Sequence, residues 1–227
     1  MAPLVKICGI TNEADARLAV DAGADFLGFI LVPGTPRFIA PERAAEIIKT
    51  LRVLCCELRV EHGTGNAQLA TAGLPRFVGV FLDAPEAEIR KTVELCGFDI
   101  IQLHGEEPAE LATRLGPERV WKMVHLRTPQ DVAAAADYSA AAILADTVSG
   151  SRRGGTGETG DWSLAAELAK QRRTVLAGGL NPENVAEAVR QVRPWALDVG
   201  SGVEAAPGRK DEAKVRAFMK HAKAEAG

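Results

Sequence analysis

Four polar side chains stand where short apolar runs give way to turns. Cys8 closes Lys6-Ile7-Cys8-Gly9, His104 closes Gln102-Leu103-His104-Gly105, Asp146 closes Ala145-Asp146-Thr147, and Asp198 sits within Leu197-Asp198-Val199-Gly200. A thiol and a carboxyl gathered in one pocket can serve as base and acid, moving protons within a substrate with no electron acceptor. Two glycine clusters add a second chemistry. Ala177-Gly178-Gly179-Leu180-Asn181-Pro182 and Gly200-Ser201-Gly202-Val203-Glu204 each follow an apolar run, and backbone N–H groups in such loops bind phosphate. Gly150-Ser151-Arg152-Arg153-Gly154-Gly155-Thr156-Gly157 is longer and more basic than a connection needs, and reads as a mobile cover over a site.

Each residue also has a plainer reading. An isolated strand cysteine is usually a small core residue. Lys6, two residues before Cys8 and on the same strand face, either lowers the thiol pKa or forms a structural ion pair with an interior carboxylate. Asp198 is one candidate for that partner. Asp146 could simply cap the loop after its strand.

What positions these groups is an alternation of short apolar runs and helical segments, the pattern of a parallel sheet. Strands are expected at 5–8, 26–32, 78–82, 99–104, 120–125, 142–146, 174–177 and 196–199. Helices are expected at 13–22, 41–51, 86–95, 108–115, 129–136, 163–170, 182–192 and 211–224. Repeated units with no obvious boundary predict an α/β fold, a single (βα)8 TIM barrel spanning 1–227, with an open doubly wound sheet as the alternative. In a barrel the C-terminal strand ends carry chemistry, which is where the polar residues fall. The phosphate loops then follow strands seven and eight, the usual place in this fold, at Gly178, Gly179, Gly200, Ser201 and Gly202. Residues 52–76 break the rhythm and read as an extended helix-to-strand connection on the opposite face. Their apolar residues favour a packed flap or a subunit contact over a disordered loop.

Composition narrows the partners. A formal net charge of -3 offers no general attraction to nucleic acid or to an anionic membrane. No early apolar run marks a signal peptide and no stretch is apolar enough to span a bilayer, so a cytoplasmic protein is expected. The cysteines Cys8, Cys55, Cys56 and Cys96 lack metal-ligand spacing and are expected as free thiols.

Taken together, Lys6-Ile7-Cys8-Gly9-Ile10-Thr11, Pro36-Arg37, Gln102-Leu103-His104-Gly105, Asp146-Thr147, Gly154-Gly155-Thr156-Gly157, Asp161-Trp162, Ala177-Gly178-Gly179-Leu180 and Ser201-Gly202-Val203-Glu204 resemble the phosphoribosylanthranilate isomerases. The resemblance runs from about Val5 to Phe218 in family order. It implies an Amadori rearrangement of N-(5-phosphoribosyl)anthranilate in L-tryptophan biosynthesis, by a cofactor-independent aldose-ketose isomerase with no metal. It implies Asp146 as general acid and Cys8 as base. Arg37 becomes the anchor of the anthranilate carboxylate, Asp198 an acid near the anthranilate amine, and His104 a further substrate contact. Thr35, Gly160 and Gly200 depart from the family's common serine, aromatic and serine, and residues 52–76 are longer than usual. Competing readings are the histidine-pathway phosphoribosyl isomerase, a dual-specificity relative, and a non-catalytic phosphate-binding barrel. Cys8 at strand one, and the lack of a second Ala-Gly-Gly-like cluster in the first half, speak against the histidine-pathway enzyme. Pure binding needs neither Cys8 nor Asp146. A sugar-phosphate is the expected partner, for a monomer or homodimer.

Overall fold

Eight parallel strands close on themselves in sequence order, each hydrogen-bonded to its neighbours and β8 returning to β1. They are β1 Leu4–Cys8, β2 Phe26–Ile30, β3 Arg76–Phe81, β4 Ile100–Leu103, β5 Val120–His125, β6 Ala142–Asp146, β7 Thr174–Ala177 and β8 Ala196–Val199. The computed structural model describes residues 2–61, 74–147 and 162–224, with backbone alone for 55–61. The expected cover segment at 150–157 and its neighbour Asp161 lie outside the described residues.

Helices between the strands are α1 Glu13–Asp21, α2 Pro41–Glu61, α3 Glu86–Cys96, α4 Ala109–Leu115, α5 Pro129–Asp137, α6 Ser163–Ala169, α7 Val185–Val192 and α8 Glu212–Ala224. Their starts follow local chemistry. Asn12 accepts from Asp15 N–H at 2.9 Å to begin α1, and Thr128 with Asp131 forms a capping box ahead of Pro129 in α5. No helix among the described residues is long and apolar enough to cross a membrane.

Alternation along the strands separates two cores. Val5, Ile7, Leu27, Phe29, Leu103, Leu176 and Leu197 face the helices in the larger one. Phe26, Val78, Ile100, Trp121, Leu144, Val175 and Ala196 fill the barrel interior. Within it Phe26 and Trp121 meet edge to face at 4.9 Å and Trp121 and Trp195 at 5.7 Å, so aromatic rings fill the end where the strands begin. Polar interior positions are left to the opposite end, at Lys6, Cys8, Gln102, Asp146 and Asp198.

Helix α2 differs from expectation: it does not stop at Leu51 but continues to Glu61, absorbing the first part of the 52–76 connection. Ile47, Ile48, Leu51 and Leu54 keep a helical apolar spacing, and the first glycine arrives only at Gly63. A second addition lies between β8 and α8. A short 3-10 turn, Ser201–Val203, leads into an antiparallel hairpin of β9 Glu204–Ala206 and β10 Arg209–Lys210.

Candidate active site

At the end of β1 the side chains of Lys6 and Cys8 point into the barrel, as their spacing required. Lys6, 0 % exposed, places Nζ 2.9 Å from Cys8 Sγ and 3.0 Å from Asp198 Oδ1 on the adjacent β8. The pairing of β1 with β8 sets Lys6 beside Asp198 in register, so strand geometry makes the contact. Burial works against the Lys6 ammonium, but Asp198 and Cys8 outweigh it and raise its pKa. The thiol behaves otherwise than the sequence implied: burial pushes Cys8 up, the Asp198 charge adds to that push, and Lys6 and Lys210 oppose without cancelling it. Lys6 therefore does not deliver a low-pKa thiol at rest. Of the two readings of Lys6, the ion pair with an interior carboxylate is the one present, with Asp198 as the partner; toward the thiol, Lys6 only moderates a pKa that burial and Asp198 raise.

Across the mouth, β4 and β6 contribute the next groups. His104 Nδ1 lies 3.0 Å from Gln102 Nε2, one strand face placing both inward. Burial, then the Lys6 charge, holds the His104 imidazole below its ordinary pKa, so it is neutral near pH 7; the carboxylates of Asp198 and Asp146 act on it in the opposite sense. His104 thus lies within electrostatic reach of both the β1–β8 cluster and Asp146. Asp146 is half-buried as the last residue of β6, paired in register with His125 on β5 and Ala177 on β7. Thr147 secures this corner by donating its hydroxyl to the Ala177 carbonyl at 3.1 Å.

The two glycine loops are packed against each other. A Cβ on Gly202 would collide with the Leu180 carbonyl oxygen, so only glycine lets the β8 loop lie on the β7 loop. Gly178 and Gly179 both adopt left-handed φ, 91° and 64°, turning the chain directly after β7. Among the described residues, the backbone N–H groups of Gly178, Gly179, Ser201 and Gly202 show no protein acceptor. Such groups on adjoining loops form a nest suited to an anion.

Arg37 reaches the same mouth from the loop after β2. Its stem crosses Gly9, where φ is +79° and a Cβ would stand 2.9 Å from Arg37 Cδ. The guanidinium is already held on one edge: Nε donates to Glu204 Oε1 at 2.8 Å and Nη2 to Glu204 Oε2 at 2.6 Å. Burial disfavours the Glu204 charge, but Arg37 and Lys210 override it and hold its pKa below the usual carboxylate range.

Comparison with known proteins decides the family. Residues 59–221 match the model of N-(5'phosphoribosyl)anthranilate (PRA) isomerase. The N-(5'-phosphoribosyl)anthranilate isomerase of Geobacter sp. (strain M21) is 46% identical over 220 residues, covering 96% of this chain and 97% of that protein. The chain belongs to the phosphoribosylanthranilate isomerase family. The crystal structure of the Thermotoga maritima phosphoribosyl anthranilate isomerase matches with a TM-score of 0.81 and 39% identity, covering 98% of this chain and 99% of that one. A phosphoribosyl anthranilate isomerase solved in complex with reduced 1-(o-carboxyphenylamino)-1-deoxyribulose 5-phosphate matches at a TM-score of 0.78 and 38% identity, covering 98% and 99%.

For a phosphoribosylanthranilate isomerase, the described mouth brings together Cys8, His104, Asp146, Asp198, Arg37 and both glycine loops. Three participants escaped the reading of the sequence. Glu204 stands in the sequence only as part of a motif, although it holds Arg37; Gln102 stands only as a neighbour of His104; and nothing local marks Lys210 itself. Ala206-Pro207-Gly208-Arg209 is the signal that could have announced the hairpin carrying Lys210, since Pro-Gly marks a tight turn.

Proposed function

We propose that this chain rearranges N-(5'-phosphoribosyl)anthranilate to 1-(2-carboxyphenylamino)-1-deoxyribulose 5-phosphate, the isomerase step of tryptophan biosynthesis, with Asp146 as general acid and Cys8 as general base. Asp146 gives a proton to the furanose ring oxygen as the ring C–O bond breaks, leaving a Schiff base between C1' and the anthranilate nitrogen. The cationic nitrogen acidifies C2', and Cys8 removes that proton to form an enolamine. Loss of the C2' hydroxyl proton and protonation at C1' give the ketone. Every electron pair moves within one molecule, so the reaction calls for no redox cofactor or metal.

The contact at 2.9 Å between Lys6 and Cys8, inside a mouth flanked by paired glycine loops, is the observation that carries this reading. A buried thiol raised in pKa resists ionisation until charge develops nearby, and the Lys6 ammonium stabilises the thiolate as it forms. Substrate phosphate fits the N–H groups of Gly178, Gly179, Gly200, Ser201 and Gly202. The anthranilate carboxylate fits the Arg37 edge that Glu204 leaves open, and Asp198 faces the anthranilate amine. His104, as a neutral imidazole, contributes a hydrogen bond and no charge. On this reading the enzyme works in the cytoplasm as a monomer or homodimer.

Loss of anthraniloyl fluorescence on mixing the purified chain with N-(5'-phosphoribosyl)anthranilate tests the proposal. Turnover is expected with this substrate and not with the histidine-pathway aminoaldose. Stoichiometric binding without turnover would reduce the chain to a phosphate-binding barrel.

A further inference from the structure

The hairpin inserted between β8 and α8 delivers one side chain into the interior. Lys210 has 0 % side-chain exposure, and its Nζ donates to the Cys8 carbonyl at 2.6 Å, the Gly200 carbonyl at 3.1 Å and Glu204 Oε1 at 3.0 Å. Three donors meet three acceptors, so the ammonium is fully satisfied. Each acceptor belongs to a different working part. The Cys8 carbonyl is on the residue assigned as base, Gly200 opens the β8 phosphate loop, and Glu204 grips Arg37.

The hairpin itself is fastened for this purpose. Thr11 Oγ1 donates to the Gly208 carbonyl at 2.6 Å, and the Lys210 N–H donates to Asp15 Oδ2 at 2.9 Å, at the start of α1. A buried ammonium is an expensive way to gain stability alone, because a well-packed apolar residue often does as well. A point charge with three divergent donors does something an apolar residue cannot: it fixes three backbone and side-chain oxygens at set mutual distances.

We propose that Lys210 is a positioning residue that keeps the proton-abstracting strand end, the phosphate loop and the carboxylate anchor in one register. The proposal rests on the functional reading above. In that reading the substrate is held at two ends, by phosphate and by carboxylate, and reacts between them. Lys210 touches none of the reacting atoms and sets only the spacing of the groups that do. A shift of about 1 Å in such spacing is enough to cost on the order of 10²-fold in rate.

The test separates a two-ended ligand from a one-ended one. Calorimetry on Lys210→Met would measure the Kd of reduced 1-(o-carboxyphenylamino)-1-deoxyribulose 5-phosphate, which carries both anionic ends, and of inorganic phosphate, which occupies one. Register loss predicts a Kd raised about tenfold or more for the two-ended analogue, with phosphate weakened far less, and kcat reduced about 10²-fold. Lys210→Gln, which keeps two donors on a side chain one atom shorter, should fall between the two proteins on both readouts and provides the measurement if the methionine variant fails to fold. Equal losses for both ligands, or unchanged analogue binding and kcat in a folded variant, would overturn the proposal. Failure of the unsubstituted protein to bind the analogue would instead overturn the functional reading itself.

Discussion

Replacing Lys6 with methionine removes one charge from the barrel interior while nearly conserving volume, so the penalty should be electrostatic and not a cavity. Lys6 is fully buried and its 3.0 Å partner Asp198 has a side-chain exposure of 10%. Breaking a buried pair from one side costs about 3 to 5 kcal/mol because the remaining charge is stranded. Water at the mouth reaches the edge of Asp198, which favours the lower figure, about 3 kcal/mol, or about 6 to 12 °C in Tm for a domain of this size. The double variant Lys6→Met/Asp198→Asn strands no charge and should recover most of that loss. The sign with pH also follows. The folded pKa of Lys6 is raised above its ordinary 10.5, so the pair's stability is fully present below that value and is lost as pH rises through the higher folded value. Lys6 also opposes the upward push on Cys8, so in Lys6→Met the thiol should ionise at still higher pH, and the acid limb of kcat/KM should move upward. Urea denaturation near neutral pH and the pH profile of kcat/KM read both effects. A loss below about 1 kcal/mol, or a double variant no more stable than the single, would refute the argument from a stranded charge.

Arg37→Ala should lower kcat/KM by about 2 to 4 kcal/mol through lost carboxylate binding, with some loss of Tm because, among the described residues, Glu204 is left with Lys210 as its one cationic side-chain partner; unchanged kcat/KM in steady-state assays would return Arg37 to a purely structural pairing with Glu204. Gly202→Val should displace the β8 loop from Leu180 and weaken competition by inorganic phosphate about tenfold or more, whereas phosphate inhibition equal to wild type would place the anion elsewhere. Deleting residues 62–68 should leave kcat and KM unchanged, because α2 ends at Glu61 and β3 begins at Arg76, and a helix-to-strand connection in a barrel belongs to the face where strands begin; a large kinetic defect in a variant that still unfolds cooperatively would mean that this connection serves the mouth.

Much of the fold was legible because strand alternation is a local signal. The bounds of β5, β6, β7 and β8 fall where the apolar runs place them, and the inward pairs Lys6 with Cys8 and Gln102 with His104 follow from a period of two. The end of α2 lies beyond the expected Leu51 because the helical apolar spacing continues past that residue and the first glycine comes only at Gly63. Other features depend on contacts no local pattern encodes. Glu204 meets Arg37 across 167 residues and Lys210 meets Cys8 across 202. The direction of the Cys8 pKa is hidden for the same reason: Lys6 is visible two residues away, whereas burial of the thiol and the Asp198 charge exist only after the barrel closes.

The central claim is that proton transfer is divided between a base on β1 and an acid on β6. The turnover numbers of Cys8→Ala and Asp146→Asn, measured beside the unsubstituted protein at saturating N-(5'-phosphoribosyl)anthranilate, test it most directly. Both substitutions remove a proton-transferring group without opening a large cavity, so each should retain its fold and lose a factor on the order of 10² or more in kcat. Near-normal turnover by either variant would remove that residue from the mechanism and contradict the account.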